Sequence, residues 1–324
     1  VNRYFGVNHR DASGTLILDY NASIEVFKNM TAVLDKYGIK VVLDGVFNHC
    51  SAKNQWFDRD NDFPTDGAYE SLSSPWYSWF KFYSWPNDYQ TFGGVKNMPK
   101  LQEVDSFKDC IYRANDSVIK FWNTLGVSGW RLDYANGLSH EFWRKFRTYY
   151  KQLNPEGFII GEYWGNAHDW LQGDQWDSVM NYPFRNAVLD WANGGSVASF
   201  NESLWNIRSW YPEEALYTMF NILDSHDVER VLSALGENKT RMKLAVIFQM
   251  TYQGIPVVYY GDEVGMSGPG PFEHARQCYP WPDKGGTPDE DMLDHYKKLI
   301  AIRESLPVLR VGTLEIRLVD EARN

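Results

Sequence analysis

The first regularity along the chain is helical apolar spacing that alternates with short β-branched runs. Over residues 24–37, Ile24, Phe27, Met30, Val33 and Leu34 recur at helical intervals, and Gly38 follows as a stop signal. Lys40-Val41-Val42-Leu43-Asp44 then reads as a buried strand. The unit recurs as a helix over 112–125 into a strand over 129–133, and a helix over 141–153 into a strand over 157–162. A further strand over 215–223 is followed by a helix over 241–252 and a strand over 256–260. Repeated helix–strand units predict a parallel sheet, and a closed barrel of such units carries its functional residues at the C-terminal strand ends. Each predicted strand ends in polar residues: Asp44, Asp133, Glu162, Asp224 to Asp227, and Gly261-Asp262-Glu263.

The spacing agrees with that reading. Asp133 and Glu162 are 29 positions apart, about one unit, and Glu162 and Asp227 are 65 apart, about two. Asp44 and Asp133 are 89 apart, too far for one unit. The surplus falls at 51–109, rich in Trp, Tyr, Pro, Asp and Asn, and is expected to be an insertion after a strand, where functional loops of barrels sit. The expected division is a barrel over 1–50 and 110–305, an inserted domain over 51–109, and the start of a strand-rich domain over 306–324.

Composition narrows the partners. Hydrophobic residues are 44% of the 324, enough for a sizeable core. The formal charge of −10 argues against nucleic acid or an anionic membrane as a partner. No run of eighteen apolar residues suggests a membrane span, and the polar and aromatic start, 1–10, shows no leader, which favours a cytoplasmic location over secretion. Aromatics are 16%, with 14 Trp and 20 Tyr. They make either a large aromatic core or a sugar site, since flat rings stack on apolar pyranose faces. Cys50, Cys110 and Cys278 are too few and too widely spaced for a disulfide framework or a CxxC metal pattern, and each is expected to be buried.

Hydrolysis of a glycosidic bond requires two carboxyl groups. Arg131 precedes Asp133 by two and shares its side of a strand, so the cation can keep Asp133 ionised and nucleophilic; the bland reading is a structural ion pair. Glu162 ends an apolar strand beside Tyr163 and Trp164 and suits a general acid, or is a solvated strand terminus. His226 and Asp227 suit sugar hydroxyls, or are a core His and a capping Asp. Asp44 and His49 carry the same ambiguity, and Asn48 with Asp44 is alternatively part of a calcium site, since hard oxygen ligands suit that ion.

These runs, in this order, resemble the alpha-amylase family of glycoside hydrolases, most closely its neopullulanase, cyclomaltodextrinase and maltogenic amylase branch. The matching residues are Asp44 to His49 (DGVFNH), Gly129 to Asn136 (GWRLDYAN), Gly161 to Trp164 (GEYW) and Leu223 to Asp227 (LDSHD). Met98-Pro99-Lys100-Leu101, Trp176 to Phe184 and Gly254 to Glu263 add to them. The resemblance implies an α/β fold, a TIM-type (β/α)8 barrel with an inserted domain after the third strand. It implies a retaining hydrolase of α-1,4 and also α-1,6 glucosidic bonds in maltooligosaccharides, cyclodextrins, pullulan or starch. Asp133 would be the nucleophile, Glu162 the acid/base, and Asp227 the stabiliser of the transition state. Arg131, His49, His226 and Asp44 would bind the sugar at the cleavage point. Trp164, Asn136 and aromatics of the insertion would line neighbouring subsites, and Arg276 is a looser substrate contact. No organic cofactor is implied.

The sequence departs from the family in three places. Only 43 residues precede Asp44, where the family has two further strand–helix units, so the first barrel strands are expected to be incomplete in this chain. There, Asn8-His9-Arg10-Asp11 resembles a loop with a Tyr–Asp pair, but Arg10 stands in place of the Tyr. Gly137 occupies a position where the branch has a Glu linked to substrate choice. The C-terminal β-domain and the N-terminal dimer-forming domain are largely absent from the 324 residues, so a homodimer belongs to a longer form. The competing readings are a glucan transglycosylase, a plain α-amylase, and a non-catalytic amylase-like binding or accessory protein. Asp133, Glu162 and Asp227 are all present, which counts against the last, and the Met98–Leu101 run favours the neopullulanase branch over a plain amylase.

Overall fold

The computed structural model describes the backbone of residues 7–10 and 16–317 and the side chains of residues 18–317. The chain divides into two compact units, residues 1–162 with 174–176, and residues 163–173 with 177–324.

In the first unit, the expected helix runs Tyr20–Lys36, opened by Asp19, whose Oδ1 accepts the Ala22 amide at 2.9 Å. Gly38, at φ +73°, closes it in the left-handed conformation that glycine adopts without strain. The strand Val41–Gly45 follows and pairs in parallel with Val127–Leu132, which pairs in parallel with Phe158–Gly161. The helix His140–Leu153 connects the last two and buries Phe142, Trp143, Phe146 and Tyr150. Ser139 caps it, its Oγ accepting the Phe142 amide.

Residues 51–109 hold only short regular elements, the helical turns Tyr77–Trp79 and Asp105–Lys108 and the strands Phe82–Ser84 and Asp88–Tyr89. They fold around fully buried Phe57, which meets Tyr69, Phe80, Phe82 and Tyr89 within 6.0 Å between ring centroids. In this stretch the aromatic surplus therefore builds a core of its own. The run Met98–Leu101 lies against the segment carrying His49. His49 bridges Lys100, the Cys50 amide donates to Pro99 O (3.1 Å), and the Leu101 amide donates to Asn48 O (2.9 Å).

In the second unit, the strands Phe220–Ile222 and Ile255–Val257 pair in parallel. Around them lie the helices Tyr182–Ala192, Val197–Trp210, Lys239–Thr251 and Glu290–Ser305. Among the described residues no helix is long and apolar enough to cross a membrane.

Several sequence expectations need correction. The helix placed over 112–125 is only Val118–Thr124, because the wider turn Asp109–Arg113 ends at extended Ala114. The strand placed over 215–223 shrinks to Phe220–Ile222, since Glu213–Leu216 is a helical turn. The stretch 309–318 opens in a helical turn, Val308–Val311, and 312–317 form no strand. The loop expected around Asn8 is instead a ladder, Val7–Arg10 paired antiparallel with Leu16–Asp19. The Arg10 side chain, Asp11, residues 12–15 and Leu318 lie outside the described residues. Of the cysteines only Cys50 is buried, its thiol pushed up to about 12 by desolvation; Cys110 is half-buried and Cys278 exposed.

Gly161, just before Glu162, shows how tightly the strand end is packed. A Cβ there would lie 2.3 Å from the ring of fully buried Trp176. Gly161→Ala is expected to cost about 1–3 kcal/mol of unfolding free energy as overpacking. Equal denaturation midpoints for variant and parent would show that the ring yields.

Candidate active site

The parallel register of the first unit sets three carboxylates in a row. Asp44 aligns with Arg131 and Leu132 with Gly161, so Asp44, Asp133 and Glu162 reach the same end of their strands. The backbone continues the ladder there: the Asp133 amide donates to Gly45 O (3.2 Å) and the Glu162 amide to Leu132 O (2.9 Å).

Arg131 ties the three together. Its Nη1 donates to Asp44 Oδ1 (2.8 Å) and Asp133 Oδ1 (2.9 Å), and Nη2 lies 2.9 Å from Glu162 Oε2. The Arg131 side chain is 14% exposed and Glu162 9%, whereas Asp44 is 53% exposed. With anions on all sides, the guanidinium is held well above its ordinary pKa despite burial. Asp133 feels opposing influences. Burial raises its pKa, the Arg131 charge lowers it, and Glu162 and Asp44 raise it again, for a net upward shift.

Tyr134 gives the site a feature the sequence did not announce. It sits at φ 42°, ψ 51°, a left-handed conformation that costs a non-glycine residue about 1–3 kcal/mol. The turn aims its amide at Glu162 Oε2 (2.9 Å), and the Ala135 amide donates to Glu162 O (3.2 Å). Trp143 Nε1 anchors the turn through Ala135 O at 2.7 Å. Asn136 is exposed on the same turn.

His49 stacks on Phe92 of the insertion, centroids 4.4 Å apart and planes 3° from parallel, and Phe92 meets Tyr134 edge-on at 4.7 Å. Burial lowers the His49 pKa, while the Asp133 charge pulls it the other way. His49 is therefore neutral at neutral pH. The Asn48 amide nitrogen lies 3.4 Å from Nδ1, an arrangement that places the proton on Nε2. Phe92 was not singled out in the sequence; its only signal was membership of an aromatic-rich insertion.

Asn48 Oδ1 is buried with no hydrogen-bond partner. That fits one ligand of an oxygen-coordinated cation, but calcium takes six to eight. Among the described residues no cluster of three His, Cys, Asp or Glu is placed to hold a metal. A Cβ on Gly137 would meet that same Oδ1 at 2.3 Å, so the position that departs from the family is filled here by Asn48.

The second unit carries the other predicted residues. Asp227 is gripped on both carboxylate oxygens, Oδ1 by Arg276 Nη2 (2.8 Å) and Oδ2 near His226 Nε2 (3.1 Å). Arg276 Nε also donates to His226 O at 3.0 Å. The Asp227 amide donates to Ser225 Oγ (3.2 Å), which shares a hydrogen bond with the Tyr182 hydroxyl (3.0 Å). Trp164, half exposed, stacks on Tyr182 with centroids 4.2 Å apart. Arg276, the loosest of the sequence assignments, is thus a direct partner of Asp227.

Parallel helix–strand units with a carboxylate-bearing strand end define an α/β protein of the TIM-type (β/α)8 class with an insertion after the third strand. The chain belongs to the alpha-amylase family of glycoside hydrolases, matching the profile "Alpha amylase, catalytic domain" over residues 20–284. It is 38% identical over 311 residues to neopullulanase 2 of Thermoactinomyces vulgaris, a match covering 93% of this chain and 51% of that protein. It is 39% identical over 303 residues to a cyclomaltodextrinase of Bacillus sp, covering 90% and 52%. A solved cyclomaltodextrinase structure superposes with TM-score 0.80 at 38% identity, covering 90% of this chain and 49% of that one. The cyclic α-maltosyl-(1→6)-maltose hydrolase of Arthrobacter globiformis does so at 0.81 and 30% identity, covering 89% and 64%. The chain spans about half the length of the curated relatives it matches.

Proposed function

We propose that the protein to which this chain belongs is a retaining glycoside hydrolase. Its substrates are α-1,4 and also α-1,6 glucosidic bonds in maltooligosaccharides, cyclodextrins, pullulan or starch. The observation that carries this reading is the Arg131 guanidinium, which contacts Asp133 through Nη1 and Glu162 through Nη2. The shared cation supports the closer of the two carboxyl spacings, the roughly 5–5.5 Å of a retaining pair.

In this mechanism Glu162 protonates the departing glycosidic oxygen while Asp133 Oδ attacks the anomeric carbon, giving a glycosyl ester and a free alcohol. Water then attacks the same carbon, Glu162 takes its proton, and the Asp133 carboxylate leaves. Arg131 keeps Asp133 ionised against the effect of its own burial. Neutral His49 donates from Nε2 to a sugar hydroxyl, and Phe92 holds the imidazole plane. Asp44 and Asn136 provide polar contacts near the reacting sugar, and Trp164 a stacking face. Asp227 favours the cationic transition state, with His226 and Arg276 fixing its carboxylate and binding substrate. The reaction needs no cofactor.

Parallel digestion of pullulan, cyclodextrin and starch by the full-length protein is the test. Panose from pullulan and opened cyclodextrin rings are expected, and inertness toward all three would overturn the reading. Glu162→Gln is expected to slow hydrolysis of unactivated maltooligosaccharides by roughly 10²–10⁴-fold, the usual worth of general acid catalysis. An activated aryl glucoside needs no leaving-group acid in the first step, so external azide should restore its turnover. Full activity of this variant on unactivated substrate would remove the role.

A further inference from the structure

The loop that carries His226 and Asp227 is pinned at both ends by one buried side chain. Asp262 is 2% exposed and Arg230 fully buried. Arg230 Nη1 donates to Asp262 Oδ1 (3.1 Å) and to Tyr260 O (2.8 Å), and the guanidinium lies over the rings of Tyr259 and Tyr260 at 4.6 and 4.9 Å. At the other end of the loop, the buried Asp224 carboxyl faces the same Asp262 carboxyl within hydrogen-bonding reach. Asp224 Oδ2 accepts the Val231 amide at 2.8 Å, while its buried Oδ1 meets no amide, hydroxyl or cationic donor. Two buried carboxylates facing each other repel when both are ionised and have no proton to place between them, so the pair favours one member as a carboxylic acid.

We propose that Asp224 and Asp262 share one proton at neutral pH, and that this acid pair, closed by Arg230, is a positioning unit for His226 and Asp227. One proton leaves the pair with a single negative charge, which the buried Arg230 balances. Asp262 is its holder. Burial pushes that carboxyl well above the ordinary carboxylate range and the Asp224 charge adds to the shift, while Arg230 opposes it. Asp224 is also raised by burial, but the Val231 amide, Arg230 and Arg185 favour its charged form. The other titratable groups facing the pair are Glu263 beside it, Tyr259, and Tyr296 from the helix Glu290–Ser305. Burial raises both phenols, so they stay neutral over the range in which the pair titrates.

The direction of the pH effect follows. Asp262 has a folded-state pKa above its unfolded one, so its contribution to stability is complete below the unfolded value and lost as pH rises through the folded value. Above that point two adjacent buried anions face one arginine, and the loop loses its anchor. The proton itself does not depend on the catalytic reading above; its effect on turnover does.

The experiment uses the full-length protein and Asp262→Asn, which keeps a hydrogen-bond donor toward Asp224 but has no proton to lose. The wild type is expected to show infrared carbonyl intensity of protonated carboxylic acid at neutral pH beyond that of Glu162, and Asp262→Asn to lose that part, read as a difference band between the two proteins. The variant should gain thermal stability relative to wild type as pH rises into the alkaline range. Its kcat should stay near wild type, with the alkaline limb of the pH profile shifted upward. Asp262→Ala should lose roughly 10²-fold in kcat, the cost of a misplacement of about 1 Å. If that variant does not fold, the Asn variant and the wild-type infrared spectrum still decide. An acid band of equal intensity in wild type and Asp262→Asn, or parallel stability–pH curves for the two, would overturn the shared proton. An Asn variant as inactive as the Ala variant would overturn the positioning role. A wild type that hydrolyses no glucan would sink the functional reading instead, with the infrared and stability results unaffected.

Discussion

Asp133→Ala is expected to lower kcat on maltooligosaccharides by at least about 10⁴-fold while substrate binding persists, the scale seen when a nucleophile is removed from a coupled catalytic group. The side chain supplies the bond to the anomeric carbon, and the remaining residues still present hydroxyl-binding groups. Single-turnover kinetics with calorimetric binding separates the two quantities. Hydrolysis within tenfold of wild type would show that another group attacks. The wild-type acid limb bears on the same residue. Because burial and the Glu162 and Asp44 charges raise the Asp133 pKa, kcat/KM should fall on acidification at a pH above the ordinary Asp value of about 3.9. A limb at or below that value would contradict the raised pKa.

Arg131→Met is expected to damage both fold and chemistry. The substitution keeps the apolar stem but leaves Asp44, Asp133 and Glu162 without their common cation. Removing one partner of a buried ion pair costs about 3–5 kcal/mol, because the opposite charge is left uncompensated. Arg131 lowers the Asp133 pKa, so its loss shifts that pKa further upward. The stability deficit should then shrink in acid, where the carboxyls take up protons, and grow toward neutral pH. Thermal melts across that range check the sign, and a deficit independent of pH would mean that packing, not charge, had been lost. Arg131→Lys restores a charge but not two separate nitrogens for Asp133 and Glu162. It should recover stability more than turnover.

How much of this was legible in the sequence depends on range. Residues that end apolar runs were visible, because buried parallel strands are dense in β-branched side chains and stop where polarity begins. Asp44, Asp133 and Glu162 were found that way, and the parallel register aligns them. Arg131 was legible because a two-residue step keeps a side chain on one face of a strand. The failures have physical causes as well. The run 215–223 looked like one strand, but Pro212 and two glutamates begin a helical turn ahead of it. The helix Tyr182–Ala192 starts at Asn181, whose side chain accepts the Phe184 amide, with a proline in its first turn; that local chemistry was passed over for want of a simple period. Tyr134 had no signal at all, since a left-handed tyrosine is imposed by its surroundings and not by its own preference. The Phe92–His49 stack and the Arg230 clamp on Asp262 join residues far apart in sequence, which one chain cannot reveal.

The bridge between His49 and Lys100 bears on how such proteins can be rebuilt. The insertion is easily pictured as a detachable module, exchangeable between relatives to alter what they accept. Here the run Met98–Leu101 supplies the backbone partner for residues 48–50, and Phe92 supplies the face on which His49 rests. A graft cut at the ends of the insertion would therefore replace part of the floor under the imidazole. Transplants that keep the Met98–Leu101 ladder and an aromatic ring at 92 preserve that floor, and the core around Phe57 has to travel with them, because Phe80 of that core pairs with Leu101.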